Sequence, residues 1–121
     1  MRILNLTQHK ATQEQIKAGV VDLNERDREN WSKAITFNEL PTASDIEKAV
    51  FLACDLCLEN DAKAAMIGGA PFLMSPLVDE LKRIGVQPVF AFSKRESKEV
   101  VKEDGIVEKV SVFRHEGFVE A

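Results

Sequence analysis

Short apolar runs alternate with longer amphipathic stretches along this chain. Residues 3–6 form a brief apolar run bounded by polar residues, which suits a strand buried on both faces of a parallel sheet. Thr12-Gln13-Glu14-Gln15 has the spacing of a capping box and predicts a short helix ending near Gly19. Residues 20–23 read as a second strand. Residues 24–34 read as a charged helical segment whose Trp31 docks on the core. Leu40-Pro41 marks a break, and Ser44 to Glu47 forms a second capping box that opens the strongest helix, running to about Asn60. Residues 64–67 are a third buried strand, followed at once by Gly68-Gly69.

The second half is punctuated by Gly and Pro. Ser75-Pro76 and Gly85 place a helix over 76–84 and leave 68–74 as a loop; the alternative has Pro71 at the first helical position and Pro76 bending the helix. Residues 87–92 are a fourth strand, followed by the polar cluster Ser93-Lys94-Arg95-Glu96-Ser97. Residues 100–102 and 106–113 flank Glu103-Asp104-Gly105, the arrangement of a β-hairpin. The sum is a single layered α/β domain over 1–121, with a mostly parallel sheet and a C-terminal β-hairpin.

Composition narrows the function. With 121 residues, 45% hydrophobic and 30% charged, the chain can bury a core without a metal or a disulfide. A net charge of −4 argues against a protein that grips long nucleic acid by broad phosphate neutralisation, yet leaves room for a local basic pocket around a short or cyclic nucleotide. The N-terminus lacks a signal-peptide core and no stretch reaches membrane-spanning length, so a cytoplasmic protein with no membrane contact is expected. Cys54 and Cys57 form a Cys-x-x-Cys, but they share the helical stripe Ile46, Ala49, Val50, Ala53. They are therefore read as core thiols, with neither metal nor cofactor implied.

Candidate chemistry gathers in three segments that follow strands, because open parallel sheets bind ligands outside the carboxyl ends of their strands. Thr7, Gln8 and His9 follow the first strand, and the imidazole is placed to move a proton or orient a hydroxyl. Gly68, Gly69, Ala70 and Phe72 follow the third; the glycines let the backbone approach a ligand, and free N–H groups there suit an anion. Ser93, Lys94, Arg95 and Ser97 follow the fourth and offer donors to phosphate or ribose. Phe72-Leu73-Met74 either caps the core or, exposed, serves a homodimer contact.

The opening Leu4-Asn5-Leu6-Thr7-Gln8-His9-Lys10-Ala11-Thr12-Gln13-Glu14-Gln15, with Gly68-Gly69-Ala70-Pro71-Phe72 and 91–97, resembles the small stand-alone CRISPR-associated proteins of the ring nuclease group. Their opening is a strand, Thr or Ser, His, then Thr-x-Glu-Gln. The resemblance implies a three-layer Rossmann-like, CARF-like fold, a homodimer, and metal-independent cleavage of a cyclic oligoadenylate in antiviral defense. Under it, His9 corresponds to the family's opening histidine, and Lys94 and Arg95 are candidate catalytic donors. A non-catalytic sensor of a phosphorylated small ligand and a protein-interaction subunit are the alternatives.

Overall fold

The computed structural model describes residues 1–121. In chain order the elements are β1 (Ile3–Asn5), α1 (Gln13–Lys17), β2 (Val20–Asp22), α2 (Glu25–Ile35), α3 (Ala43–Glu59), β3 (Ala64–Met66), α4 (Pro71–Arg83), β4 (Gln87–Val101) and β5 (Val107–Glu120). They form one sheet of order β2-β1-β3-β4-β5, parallel throughout except for the antiparallel β4–β5 pair. The architecture is α/β and Rossmann-like, with the C-terminal hairpin expected from sequence.

The order explains where the helices lie. From β1 the chain steps outward to β2, then crosses back over β1 to β3 and on to β4. Right-handed crossovers therefore send α1 to one face and α2, α3 and α4 to the other. Alternation along the strands supplies each face with its own residues. Leu4, Leu6, Ala65 and Ile67 join Trp31, Ala49, Ala53, Cys57, Leu73, Leu77 and Leu81 in the main core. Ile3, Val20, Ala64, Met66 and Val89 form a smaller cluster on the opposite face, packed against Ala11 and Phe118.

The caps decide the helix starts. Thr12 and Gln15 make the expected reciprocal capping box, with Gln15 N–H donating to Thr12 Oγ1 at 3.1 Å and Thr12 N–H to Gln15 Oε1 at 3.0 Å. The second box is displaced from its expected position. Thr42 and Asp45, not Ser44 and Glu47, cap α3, with the backbone of Thr42 extended. The Thr42 N–H and hydroxyl hold the Asp45 carboxyl below its usual range. The alternative placement of α4 is the one realised. Pro71 stands at its first position and Pro76 lies inside the helix, because Leu73, Met74, Leu77 and Leu81 must share one buried stripe.

The polar cluster 93–97 is strand rather than loop. β4 continues past its last pairing with β3, at Val89, and runs with β5 to Val101. A turn closes the pair, with Lys102 N–H donating to Ile106 O at 2.9 Å and Gly105 at φ +81°. From Ala91 onward this arm has no helix behind it, and nearly all of its β4 residues are exposed.

Candidate functional site

Strand order reverses between β1 and β3, so the chain leaves these neighbours in opposite directions and a crevice opens above their carboxyl ends. It has a volume of about 410 Å³ and is lined by Thr7, Gln8 and His9 from one lip and Gly68, Gly69 and Ala70 from the other. Ile35, Phe37 and Leu73 make an apolar back wall. Two of the three segments singled out in the sequence thus meet in one place.

The β1 lip is shaped by Asn5, which is not among the candidate residues that follow the strands. Asn5 is 4% exposed and is the one buried polar side chain of the core. Its Nδ2 donates to the His9 carbonyl at 2.7 Å and to Asp22 Oδ1 at 2.8 Å. Its Oδ1 accepts from the Thr7 N–H at 2.9 Å and from the Thr7 hydroxyl at 2.6 Å. Asp22 Oδ1 also accepts from the Ala11 N–H at 3.1 Å, tying the end of β2 to the same loop. His9 is thereby fixed through its carbonyl, and its exposed imidazole is left at the rim. The available clue was an amide side chain at the carboxyl end of an apolar strand.

The β3 lip offers donors. The N–H groups of Gly68, Gly69, Ala70 and Phe72 meet no acceptor within the chain, while the next two amides, of Leu73 and Met74, both return to Ala70 O at 3.0 Å. Gly69 carries φ +153°, at the edge of the region that favours glycine. These free donors stand at the start of a helix long enough to hold a partial positive charge at its N-terminus. His9 is the only ionisable residue of the lining, and no carboxylate stands in it.

The third segment lies apart. Lys94 is five residues past Val89, so strand geometry carries it ~17 Å beyond the sheet edge. Alternation along β4 follows from Val89 in the smaller cluster and Phe90 against the main core. It puts Lys94 on the crevice's side of the arm, and Ser93, Arg95 and Ser97 on the other side. Arg95 Nη2 donates to Ser111 Oγ at 3.0 Å across the ladder. Lys94 and Arg95 therefore do not converge within one chain. Arg114 opposes Lys94 and lies 3.9 Å from Glu96, whereas His115 packs on Phe118 with ring centroids 4.9 Å apart.

Phe72 also leaves the crevice. Leu73 and Met74 enter the core, but Phe72 stays 48% exposed, tilted against Phe37 at 5.7 Å. No three His, Cys, Asp or Glu side chains gather as a metal-binding group, and no helix is long and apolar enough to cross a membrane.

Cys54 and Cys57 are buried in the main core. Burial raises the Cys54 thiol and pushes Cys57 up to about 12. Thiolate is the reactive form, so neither should react with an aromatic disulfide reagent at pH 8 in the native protein, while both should react at once in denaturant. Counting thiols released before and after unfolding checks this, and a fast native thiol would contradict it.

The model of the family described as Uncharacterized protein MJ1673 family matches residues 1–119. No curated protein and no solved structure matches the chain.

Proposed function

The chain belongs to the MJ1673 family, and from the crevice we propose that it binds a phosphorylated nucleotide ligand and, as a homodimer, opens a cyclic oligoadenylate without a metal ion. One observation carries this reading: Thr7, Gln8 and His9 face Gly68, Gly69 and Ala70 across a single crevice. The free amides of the β3 lip suit phosphate oxygens, and the apolar wall of Ile35, Phe37 and Leu73 suits a base. The opening sequence motif supplies the ring nuclease part of the proposal.

The chemistry asks little of the protein. A ribose 2′-oxygen attacks the adjacent phosphorus, the bond to the 5′-oxygen breaks, and a 2′,3′-cyclic phosphate and a 5′-hydroxyl result. His9 takes the proton from the 2′-hydroxyl, the leaving 5′-oxygen takes one from water, and the amides of Gly69 and Ala70 stabilise charge on the phosphorane. Lys94 leans toward the crevice side and is a better candidate than Arg95 for a further donor, in particular to a ligand that spans two copies.

Incubation with cyclic tri-, tetra- and hexa-adenylate in EDTA, with binding and products followed by chromatography, tests the proposal. Linear adenylates ending in 2′,3′-cyclic phosphate are expected. His9→Ala should lower turnover on the order of 100-fold or more while binding persists, as befits loss of a proton-transfer group. Tight binding of an intact ring would instead identify a sensor, a reading favoured by the lack of a second titratable group in the lining. Neither binding nor turnover would reject both.

A further inference from the structure

The projecting arm poses a physical problem that one chain does not solve. A two-stranded ribbon alone in water is marginal at best. Here it continues well beyond the core, with Phe113 72% and Val101 69% exposed. Past Val89 the edge of β4 that faced β3 has no partner, so its N–H and C=O groups form an open template.

The charges on that edge are arranged as a register. Reading β4 against a reversed copy of itself about Ser97 sets Arg95 opposite Glu99 and Glu96 opposite Lys98, each twice by symmetry. A slip of one residue sets Arg95 against Lys98 or Glu96 against Glu99. A slip of two sets Lys94 against Lys98 or against Lys102. Opposite charges directly across an antiparallel pair stabilise it and like charges oppose it, so one register is favoured over its neighbours. Within a single chain Lys98 faces only Val110, and Glu99 faces Lys109 across the ladder without closing an ion pair. Merely blunting an exposed edge would need charge without this symmetry.

We infer that two copies of this chain join through their β4 strands, antiparallel about a two-fold axis at Ser97, giving a four-stranded arm β5-β4-β4-β5 shared between them. Residues 93–101 pair, and each copy's 103–105 turn then lies toward the other's β3 end, near the 68–70 lip. The two Lys94 side chains fall on the crevice side of the joined sheet. The dimer stands whether or not the crevice takes a nucleotide.

Two measurements on the full chain decide it. Sedimentation at micromolar concentration should show a dimer. Glu99→Arg, which sets arginine against Arg95 at both symmetry positions, should weaken it on the order of tenfold or more, and Arg95→Glu added to Glu99→Arg should restore it by swapping the pair. In an otherwise wild-type chain, Ser97→Cys should form an intermolecular disulfide on mild oxidation, because opposed antiparallel residues lie about 4.5–5.5 Å apart between Cα atoms, inside the bonding window. Lys98→Cys should cross-link far more slowly. A monomeric wild type, a dimer indifferent to both charge variants, or a dimer in which the two cysteine variants cross-link alike would overturn the inference.

Discussion

Trp31→Ala is expected to destabilise the protein by about 3–5 kcal/mol, as large-to-small changes of a buried aromatic do, and so to lower its melting temperature by roughly 12–20 °C. Trp31 lies on α2 and is 1% exposed. Its side chain fills the space between α2 and the end of β1, and its Nε1 donates to the Leu6 carbonyl at 2.8 Å. That carbonyl lies one residue past β1, where the sheet ladder no longer supplies a donor. Alanine removes the volume and the donor together. Trp31→Phe separates the two, keeping most of the packing while leaving the carbonyl unpaired, and should cost about 1–3 kcal/mol. Thermal denaturation followed by circular dichroism gives both numbers. Equal losses in the two variants would mean that packing contributes little, which the burial of Trp31 contradicts.

The fold was legible wherever local chemistry and burial agreed. Residues 3–6, 20–23 and 64–67 are strands to within a residue of each end, because a short apolar run between polar flanks has few other uses in a chain of this size. Thr12 and Gln15 formed their box as read. Where a local motif competed with tertiary burial, burial won. Ser75-Pro76 is a sound helix start by itself, yet beginning there would strand Leu73 and Met74 outside the stripe they share with Leu77 and Leu81. Ser44 and Glu47 fit the capping pattern to the letter, but Thr42 with Asp45 makes the same two hydrogen bonds one half-turn earlier, where the backbone of Thr42 is extended.

The arm was the least legible element, for a plain reason. Period-two alternation marks a strand only when one of its faces is buried, and β4 beyond Ala91 has water on both. Its polar residues therefore carry no strand signal, and the sequence shows Ser93, Lys94, Arg95 and Ser97 only as one polar cluster after the fourth strand. In the extended strand they divide between two faces. The crevice was more legible, since Gly68-Gly69 and Thr7-Gln8-His9 each follow a buried strand, and the strand order brings those two strands side by side. That order is a property of the whole chain, and no local pattern contains it.

Asn5 is where the fold and the site meet, and its replacement should show in both. Asn5→Leu keeps the volume but removes two donors and an acceptor at a buried position, leaving Asp22 short of a partner and the loop from Thr7 to His9 untied. Because Thr7 and His9 stand near water, part of the loss is recovered, and a cost of about 2–3 kcal/mol is expected. Asn5→Asp is the sharper test. It is nearly isosteric and keeps the acceptor for Thr7, but it turns an N–H donor toward Asp22 Oδ1 into a second carboxylate oxygen at that 2.8 Å contact. Two carboxylates this close cannot both ionise cheaply, so the folded state raises the pKa of the pair above its unfolded value. The sign follows: the variant's stability is greatest in acid, where one proton is held, and falls as pH rises through the raised value toward neutrality. Its deficit against wild type should thus shrink between pH 7 and the acid range, while that of Asn5→Leu should change little. Amide exchange at Thr7, whose N–H donates to Asn5, should quicken in Asn5→Leu at either pH. An Asn5→Asp deficit independent of pH would mean that the Asp22 contact does not hold the lip. His9 would then be held at its carbonyl by Asn5 and Thr7 within the loop, without help from β2.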